Sequence, residues 1–192
     1  CDLTLFETIY QSQKQIKQNN FPKRFLFVGR YYDFKGVTEL WDAFIELQNE
    51  SPSDWELWCL GKGDIAPLVH PKIKHFGFVQ PTDLSKYTEQ TGVFVLPSRK
   101  EPWGVVVQEF AASGFPLLLS NRIGAKEQFL LEGVNGFEFE AENKESLKSA
   151  LKNIIALSDE SLIKMGLESN KISKTITLES WVDSLLKMAK GN

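Results

Sequence analysis

The sequence lacks a long apolar run, a set of cysteines and an excess of positive charge, and each absence excludes a class of protein. No apolar run approaches the ~20 residues that a helix needs to cross a bilayer, and no signal peptide is visible. The two cysteines, Cys1 and Cys59, are too few for a disulfide framework and favour a reducing compartment. No CxxC or histidine-rich spacing predicts a metal site.

The formal net charge of −3 argues against nonspecific binding of nucleic acid, which relies on an excess of lysine and arginine. It leaves room for a small anionic ligand, which needs only a local cluster of cations. Hydrophobic residues make up 42% of the 192 residues and charged residues 24%, which predicts a globular domain with a sizeable core. The opening Cys1 fits a processed protein and a piece of a longer one equally well.

The chain divides into a polar segment and an alternating α/β region. We predict a linker or tail over residues 1–22, because residues 11–20 are polar and show no core-forming period. Residues 23–192 carry short apolar runs that alternate with helical patterns. The runs predict strands at residues 24–29, 55–61, 73–79, 92–97, 116–120 and 136–140. This alternation is typical of a doubly wound, Rossmann-like parallel sheet, here with extra C-terminal helices.

Ligands of such a sheet bind beyond the carboxyl ends of the strands. That rule singles out four loops, which follow Val28, Leu60, Val79 and Leu96. The first loop begins with Gly29 and carries Arg30 and Lys35. Arginine offers a planar fork of donors to phosphate oxygens and lysine a point charge, so the two together would neutralise a diphosphate. A pair of solvated surface cations is the alternative for this loop.

The segment after the fourth strand has a more specific pattern. Gly104 stands where a helix would begin, and the free N–H groups of the first helical turn form an anion site. Glu109, the only charge in that helix, lies about one turn inside, on the same face as Val105. It would accept hydrogen bonds from two ribose hydroxyls, and Glu101 in the preceding loop would touch a transferred sugar. A structural carboxylate paired with a cation is the open alternative for Glu109.

These motifs resemble the C-terminal half of the retaining family 4 glycosyltransferases of the GT-B fold. The resemblance rests on the two glutamates in EPWGVVVQE, on the ASGFPLL that follows, and on the GR…KG loop at 29–36. Four further segments resemble the family in order and with matching spacing, namely CDLTLF, LGKGD, HFGFVQPTDLSKYTEQTGVFVLPS and IGAKEQFLLEGVNGFEF. The resemblance covers essentially the whole chain, and the agreement of all these motifs in register makes it specific.

The resemblance implies a fragment of a hexosyltransferase that transfers sugar from a UDP- or GDP-linked donor with retained configuration, without a metal or other cofactor. Arg30, Lys35 and Glu101 would form the catalytic set: the two cations bind the diphosphate, and Glu101 lies by the sugar. The implied donor-binding residues are Gly29, Arg30, Lys35, Phe78, Val79, Glu101, Trp103, Gly104, Val105, Val106 and Glu109. In these roles the backbone at Phe78 and Val79 meets the base, and Trp103 replaces the more usual phenylalanine.

In the family, an N-terminal domain recognises the acceptor, and no second α/β domain is found in residues 1–192. The resemblance therefore implies that this half transfers nothing alone and that a final helix at 178–189 packs on the other half or on its own core. It also implies a role in cell-surface polysaccharide biosynthesis. The absence of a spanning segment predicts a cytoplasmic enzyme, with peripheral contact at the inner face of the membrane left open. The alternative is a non-catalytic nucleotide-binding α/β module, which would not need the cations and both glutamates together.

Other polar residues are expected to be structural or exposed. His70 and His75 have no serine, cysteine or aspartate arranged around them, and Cys59 lies within a buried run. Arg99 and Lys100 add positive charge beside Glu101, where we expect them to be solvated, with assistance to phosphate binding as the alternative.

Overall fold

The structure, a computed structural model, describes residues 3–175. Within these residues one six-stranded sheet has the order β3-β2-β1-β4-β5-β6, and every pair of neighbours is parallel. The strands are β1 (Arg24–Val28), β2 (Glu56–Leu60), β3 (Ile73–His75), β4 (Val93–Leu96), β5 (Leu117–Ser120) and β6 (Gly136–Phe139). The order reverses between β1 and β4, which is where a doubly wound sheet opens a crevice at its carboxyl edge. The predicted fold class is confirmed.

Helices cover both faces of the sheet. They are α1 (Leu3–Asn19), α2 (Val37–Glu50), α3 (Ser85–Thr88), α4 (Val105–Ala112), α5 (Lys126–Phe129), α6 (Lys144–Ile155) and α7 (Asp159–Ser173), with 3-10 turns at Asp33–Lys35 and Pro81–Asp83. Helix α2 packs on α6, whereas α1, α4 and α7 pack together. Because β–α–β crossovers are right-handed and the strand order reverses at β1, the two groups lie on opposite faces.

The central strands are buried on both faces, as their uninterrupted apolar runs predict. Strand β3 is shorter than the predicted 73–79, because the chain leaves the sheet after His75 and Gly77 takes a left-handed φ of 68°. The carbonyl of Gly77 instead accepts a hydrogen bond from the N–H of Gly61 at 2.6 Å. The helix predicted at 178–189 lies outside the described residues.

Residues 1–22 were expected to be a linker or tail without a core-forming pattern, but most of them form a packed helix. Residues 3–19 form α1, which packs on α4 and α7. Its buried face follows helical spacing through Phe6, Ile9, Tyr10, Gln13 and Lys17. Since two of these five residues are polar, a pattern of hydrophobicity alone did not show the period. Whether this helix connects two domains stays a prediction.

A buried polar contact joins the loop after β1 to β2 and β3. The Tyr31 hydroxyl lies 3.2 Å from the Cys59 carbonyl oxygen and 2.9 Å from His75 Nδ1. His75 Nε2 lies 3.0 Å from the Leu68 carbonyl oxygen, which can only accept, so Nε2 donates and Nδ1 accepts. Both ring nitrogens are therefore engaged, and His75 is structural, as expected. Burial also raises the pKa of the Cys59 thiol to about 12, so this cysteine stays protonated.

The change Tyr31→Phe is expected to lower the free energy of unfolding by about 0.5–1.5 kcal/mol, because it removes one net hydrogen bond and leaves His75 Nδ1 without its donor. Chemical denaturation at pH 7 measures the difference. Tyr32→Phe is the matched control, since the described residues offer the Tyr32 hydroxyl no hydrogen bond. Equal effects of the two changes would contradict the role given to Tyr31.

Candidate active site

The loops that follow β1 and β4 touch each other beside the switch point of the sheet, which is the place between these two strands where the strand order reverses. Gly36 has a φ of 66°, and a Cβ atom at this position would lie 2.1 Å from the carbonyl oxygen of Pro97. The N–H of Arg99 donates to the carbonyl of Phe34 at 2.9 Å. Glycine at position 36 is therefore required both by the backbone conformation and by the close approach of the two loops.

Arg99 holds the same two loops together through its side chain. Its Nη1 lies 2.7 Å from Asp33 Oδ2, and its Nε lies 2.8 Å from Glu39 Oε1. The expectation that Arg99 is solvated was wrong, because two carboxylates of the first loop and of α2 lie within reach of one guanidinium. Arg99 therefore links the loop after β4 to the loop after β1 and to α2.

Lys35 and Glu101 form an ion pair between the two loops. Their side chains are only 19% and 16% exposed, so the pair is stronger than one in open solvent. The structure thus brings two of the three predicted catalytic residues into direct contact. Arg30, the third, is exposed and has no carboxylate partner within the part of the chain that the structure describes.

A first cavity of about 670 Å³ opens at the carboxyl ends of β1 and β2. Four of the predicted donor-binding residues line it, namely Gly29, Arg30, Phe78 and Val79. Tyr32, Lys62 and Asp64 also line it, and sequence reasoning did not select them as site residues. The LGKGD segment that contains two of them was noticed only as a family motif.

The floor of this first cavity is built by close backbone packing. Gly61 has a φ of 149°, and a Cβ atom there would lie 1.8 Å from the carbonyl oxygen of Gly29. The N–H of Gly29 in turn donates to the carbonyl of Leu60 at 3.0 Å. The glycine that ends β2 is therefore needed so that its loop can lie against the first loop.

A second cavity of about 350 Å³ lies between the loops that follow β4 and β5. Two backbone hydrogen bonds join these loops, from Glu101 N to Arg122 O at 3.2 Å and from Gly124 N to Glu101 O at 3.0 Å. Glu101 lines this cavity, together with Lys100, Arg122 and Lys126. Sequence reasoning missed the last two, although the loop after β5 also ends at the carboxyl edge and the topology rule could have found it.

The start of α4 lies next to Glu101. Gly104 precedes the helix with a φ of 95°, and a Cβ atom on it would lie 3.1 Å from Glu101 Cγ. No side chain of the described residues caps this helix, so the N–H groups of Val105 and Val106 remain available for an anion. The Trp103 side chain is 41% exposed. Neither cavity is lined by Trp103, Gly104, Val105 or Val106.

Glu109 lies within α4, about one turn from Val105. Burial raises the pKa of its carboxyl group above the usual value. It lines neither cavity, so its contact with a ribose stays a prediction.

Residues 3–175 contain neither a cluster of metal ligands nor a membrane-spanning helix. No group of three or more histidine, cysteine, aspartate or glutamate residues there could hold a metal ion. No helix among them has both the length and the apolar character to cross a membrane. The expected independence of a metal stays a prediction.

A family model described as Glycosyl transferases group 1 matches residues 22–156. The chain belongs to this family. An uncharacterized glycosyltransferase of Haemophilus influenzae is 27% identical over 183 residues, which cover 92% of this chain and 51% of the relative. This member of the family therefore spans about half the length of that relative.

Solved structures share the fold of this group 1 member. The C-terminal domain of the group 1 family protein LpcC from Francisella tularensis has a TM-score of 0.70 at 18% identity, with 88% of this chain and 96% of that domain covered. Anabaena HepE, solved with UDP and glucose, has a TM-score of 0.73 at 17% identity, with 100% and 55% covered. The chain accordingly has the fold of the C-terminal half of a GT-B glycosyltransferase.

Proposed function

We propose that this group 1 chain is the donor-binding half of a glycosyltransferase that takes a sugar from a nucleoside diphosphate and transfers it with retained configuration. The observation that carries the proposal is the meeting of two loops at the switch point. There Lys35 pairs with Glu101, Arg30 lines the first cavity, and Glu101 lines the second. A diphosphate and its sugar need such adjoining cationic and carboxylate groups.

The nucleoside is assigned to the first cavity. Its volume of about 670 Å³ falls within the ~300–1,000 Å³ typical of small-molecule sites. Phe78, which is 63% exposed, offers an aromatic ring at its wall, and the backbone of Phe78 and Val79 would meet the base edge. The presence of UDP in the structure of the similar Anabaena protein supports a UDP-linked donor, with GDP as the other candidate.

The diphosphate is assigned to Arg30, Lys35 and the uncapped start of α4. When the bond between sugar and phosphate breaks, negative charge develops on the leaving phosphate. Cations and N–H groups that are already in place stabilise that charge without reorganising. Glu101 would then bind hydroxyls of the sugar. Its ion pair with Lys35 would fix the position of the sugar relative to the diphosphate.

Transfer is proposed to need a second, N-terminal half that binds the acceptor. The support is the length of the Haemophilus relative, of which this chain covers 51%. We therefore expect the 192-residue chain to bind the donor weakly and to transfer no sugar by itself.

Titration calorimetry of the chain with UDP, GDP and ADP tests the donor site. We expect UDP or GDP to bind and ADP to bind more weakly or not at all. No binding of any nucleotide, with the chain shown to be folded by circular dichroism, would refute the proposal.

Glu109→Gln tests the ribose contact. We expect this change to weaken UDP binding about fivefold or more, since a carboxylate accepts stronger hydrogen bonds than an amide. Binding of pyrophosphate, which has no ribose, should change much less. The two ligands are compared on the same variant, and an equal loss for both would remove Glu109 from the ribose.

A further inference from the structure

Two positively charged side chains that the proposed function does not use line the second cavity. Lys100 comes from the loop after β4 and Arg122 from the loop after β5, and both line the cavity. Both are exposed, and no ion pair of either residue is found in residues 3–175. No ion pair with the described residues therefore neutralises their positive charge.

The other charges of this cavity are already paired. Glu101 pairs with Lys35. Lys126 lies 2.6 Å from Glu127 Oε1 and 2.8 Å from Glu138 Oε2. The carboxylates that line the cavity are thus held by other lysines and do not compete for Lys100 and Arg122. An anion that enters meets two cations without having to break an ion pair.

The loops that carry the two cations are held in register by backbone hydrogen bonds. Glu101 N donates to Arg122 O and Gly124 N donates to Glu101 O, at 3.2 and 3.0 Å. A Cβ atom on Gly124 would lie 2.1 Å from the carbonyl oxygen of Pro102, so the loops also touch closely. Lys100 and Arg122 therefore reach the cavity from two loops whose backbones are fixed relative to each other.

We propose that the sugar of the donor carries a carboxylate, as in a nucleoside-diphospho-uronic acid, and that Arg122 and Lys100 bind this group in the second cavity. The inference rests on the proposed function, which places the sugar beside Glu101. A guanidinium binds a carboxylate through two parallel hydrogen bonds, and the ammonium of Lys100 adds a second charge. A neutral hexose would leave both cations without a counter-charge.

The test compares UDP, UDP-glucose and UDP-glucuronate by titration calorimetry with the 192-residue chain. We expect UDP-glucuronate to bind at least fivefold more tightly than UDP-glucose at low ionic strength. Arg122→Ala should abolish this difference and leave binding of UDP unchanged. Lys100→Ala should reduce the difference, and Arg122→Lys should retain part of it.

The outcomes separate this inference from the proposed function. If UDP binds but UDP-glucose and UDP-glucuronate bind equally, the sugar assignment is wrong and the donor site stands. A preference for the uronate that survives both Arg122→Ala and Lys100→Ala overturns the assignment of the second cavity. If no UDP binds to the folded chain, the donor site fails and the inference fails with it.

Discussion

Replacing Lys35 with alanine is expected to weaken the binding of UDP at least tenfold. A hydrogen bond to a charged group contributes ~1.5–3 kcal/mol, and ~1.4 kcal/mol corresponds to a factor of ten in affinity. The change also leaves Glu101, whose side chain is only 16% exposed, without its ion-pair partner. The freed carboxylate would then repel the diphosphate. Titration calorimetry with UDP measures the loss.

A second variant separates these two causes. Lys35→Ala combined with Glu101→Gln removes the cation but also the repulsion, so it should recover part of the lost affinity. Lys23→Ala is the matched control, because Lys23 is exposed and precedes β1, at the opposite edge of the sheet. A loss with Lys23→Ala as large as with Lys35→Ala would show that overall charge, and not the site, governs binding.

Replacing Lys17 with methionine is expected to raise the free energy of unfolding by about 1–3 kcal/mol at pH 7, the cost of a buried polar group without a hydrogen bond. Lys17 Nζ is buried in α1, 3.4 Å from the centre of the Phe115 ring, and no residue between 3 and 175 offers it a hydrogen bond. Methionine has a similar length and no charge to bury. Thermal unfolding should shift upward by ~2–4 °C per kcal/mol.

The gain should depend on pH. Burial lowers the pKa of Lys17 well below its usual value, so the unfolded chain binds the proton more tightly than the folded chain. The wild-type chain therefore loses stability as pH falls from about 10.4, the unfolded pKa, towards the lowered folded pKa. The difference between Lys17→Met and the wild type should accordingly shrink as pH rises towards 10.

Lys14→Met is the matched control for this change. Lys14 lies on the same helix but is exposed, so its replacement should alter the free energy of unfolding by no more than about 0.5 kcal/mol at any pH. A gain for Lys17→Met that does not vary between pH 6 and pH 10 would contradict the burial of a titrating amine.

The strands could be predicted from the sequence because the pattern that indicates each of them lies within a few consecutive residues. Runs such as the one that became β1 are apolar throughout, and that pattern is typical of a strand buried on both faces. Helix α1 could not be predicted in the same way, since Gln13 and Lys17 occupy its buried face. Their positions depend on partners far along the chain, such as the Ser113 carbonyl that accepts from the Gln13 amide.

The candidate site was predictable to a similar extent. Arg30 and Lys35 follow a strand that the topology places at the switch point, so their position at the carboxyl edge follows from the sequence pattern. The partner of each charge does not follow, because it depends on distances between loops. From the sequence we therefore expected Arg99 to be solvated, whereas its guanidinium contacts Asp33 and Glu39. Sequence reasoning also missed Arg122, although the topology rule places the loop after β5 at the carboxyl edge; only the contact of that loop with Glu101 needed the structure.

The contact between Gly61 and Gly29 limits how the proposed nucleotide site can change its preference for a base. Main chain meets main chain there, and a Cβ atom would lie 1.8 Å from a carbonyl oxygen. A point substitution cannot enlarge or reshape that part of the wall without displacing a whole loop. Variants with a different base preference should therefore arise from exchanged side chains at Tyr32, Lys62 or Asp64, or from insertions that redirect the loop, while the two glycines stay unchanged.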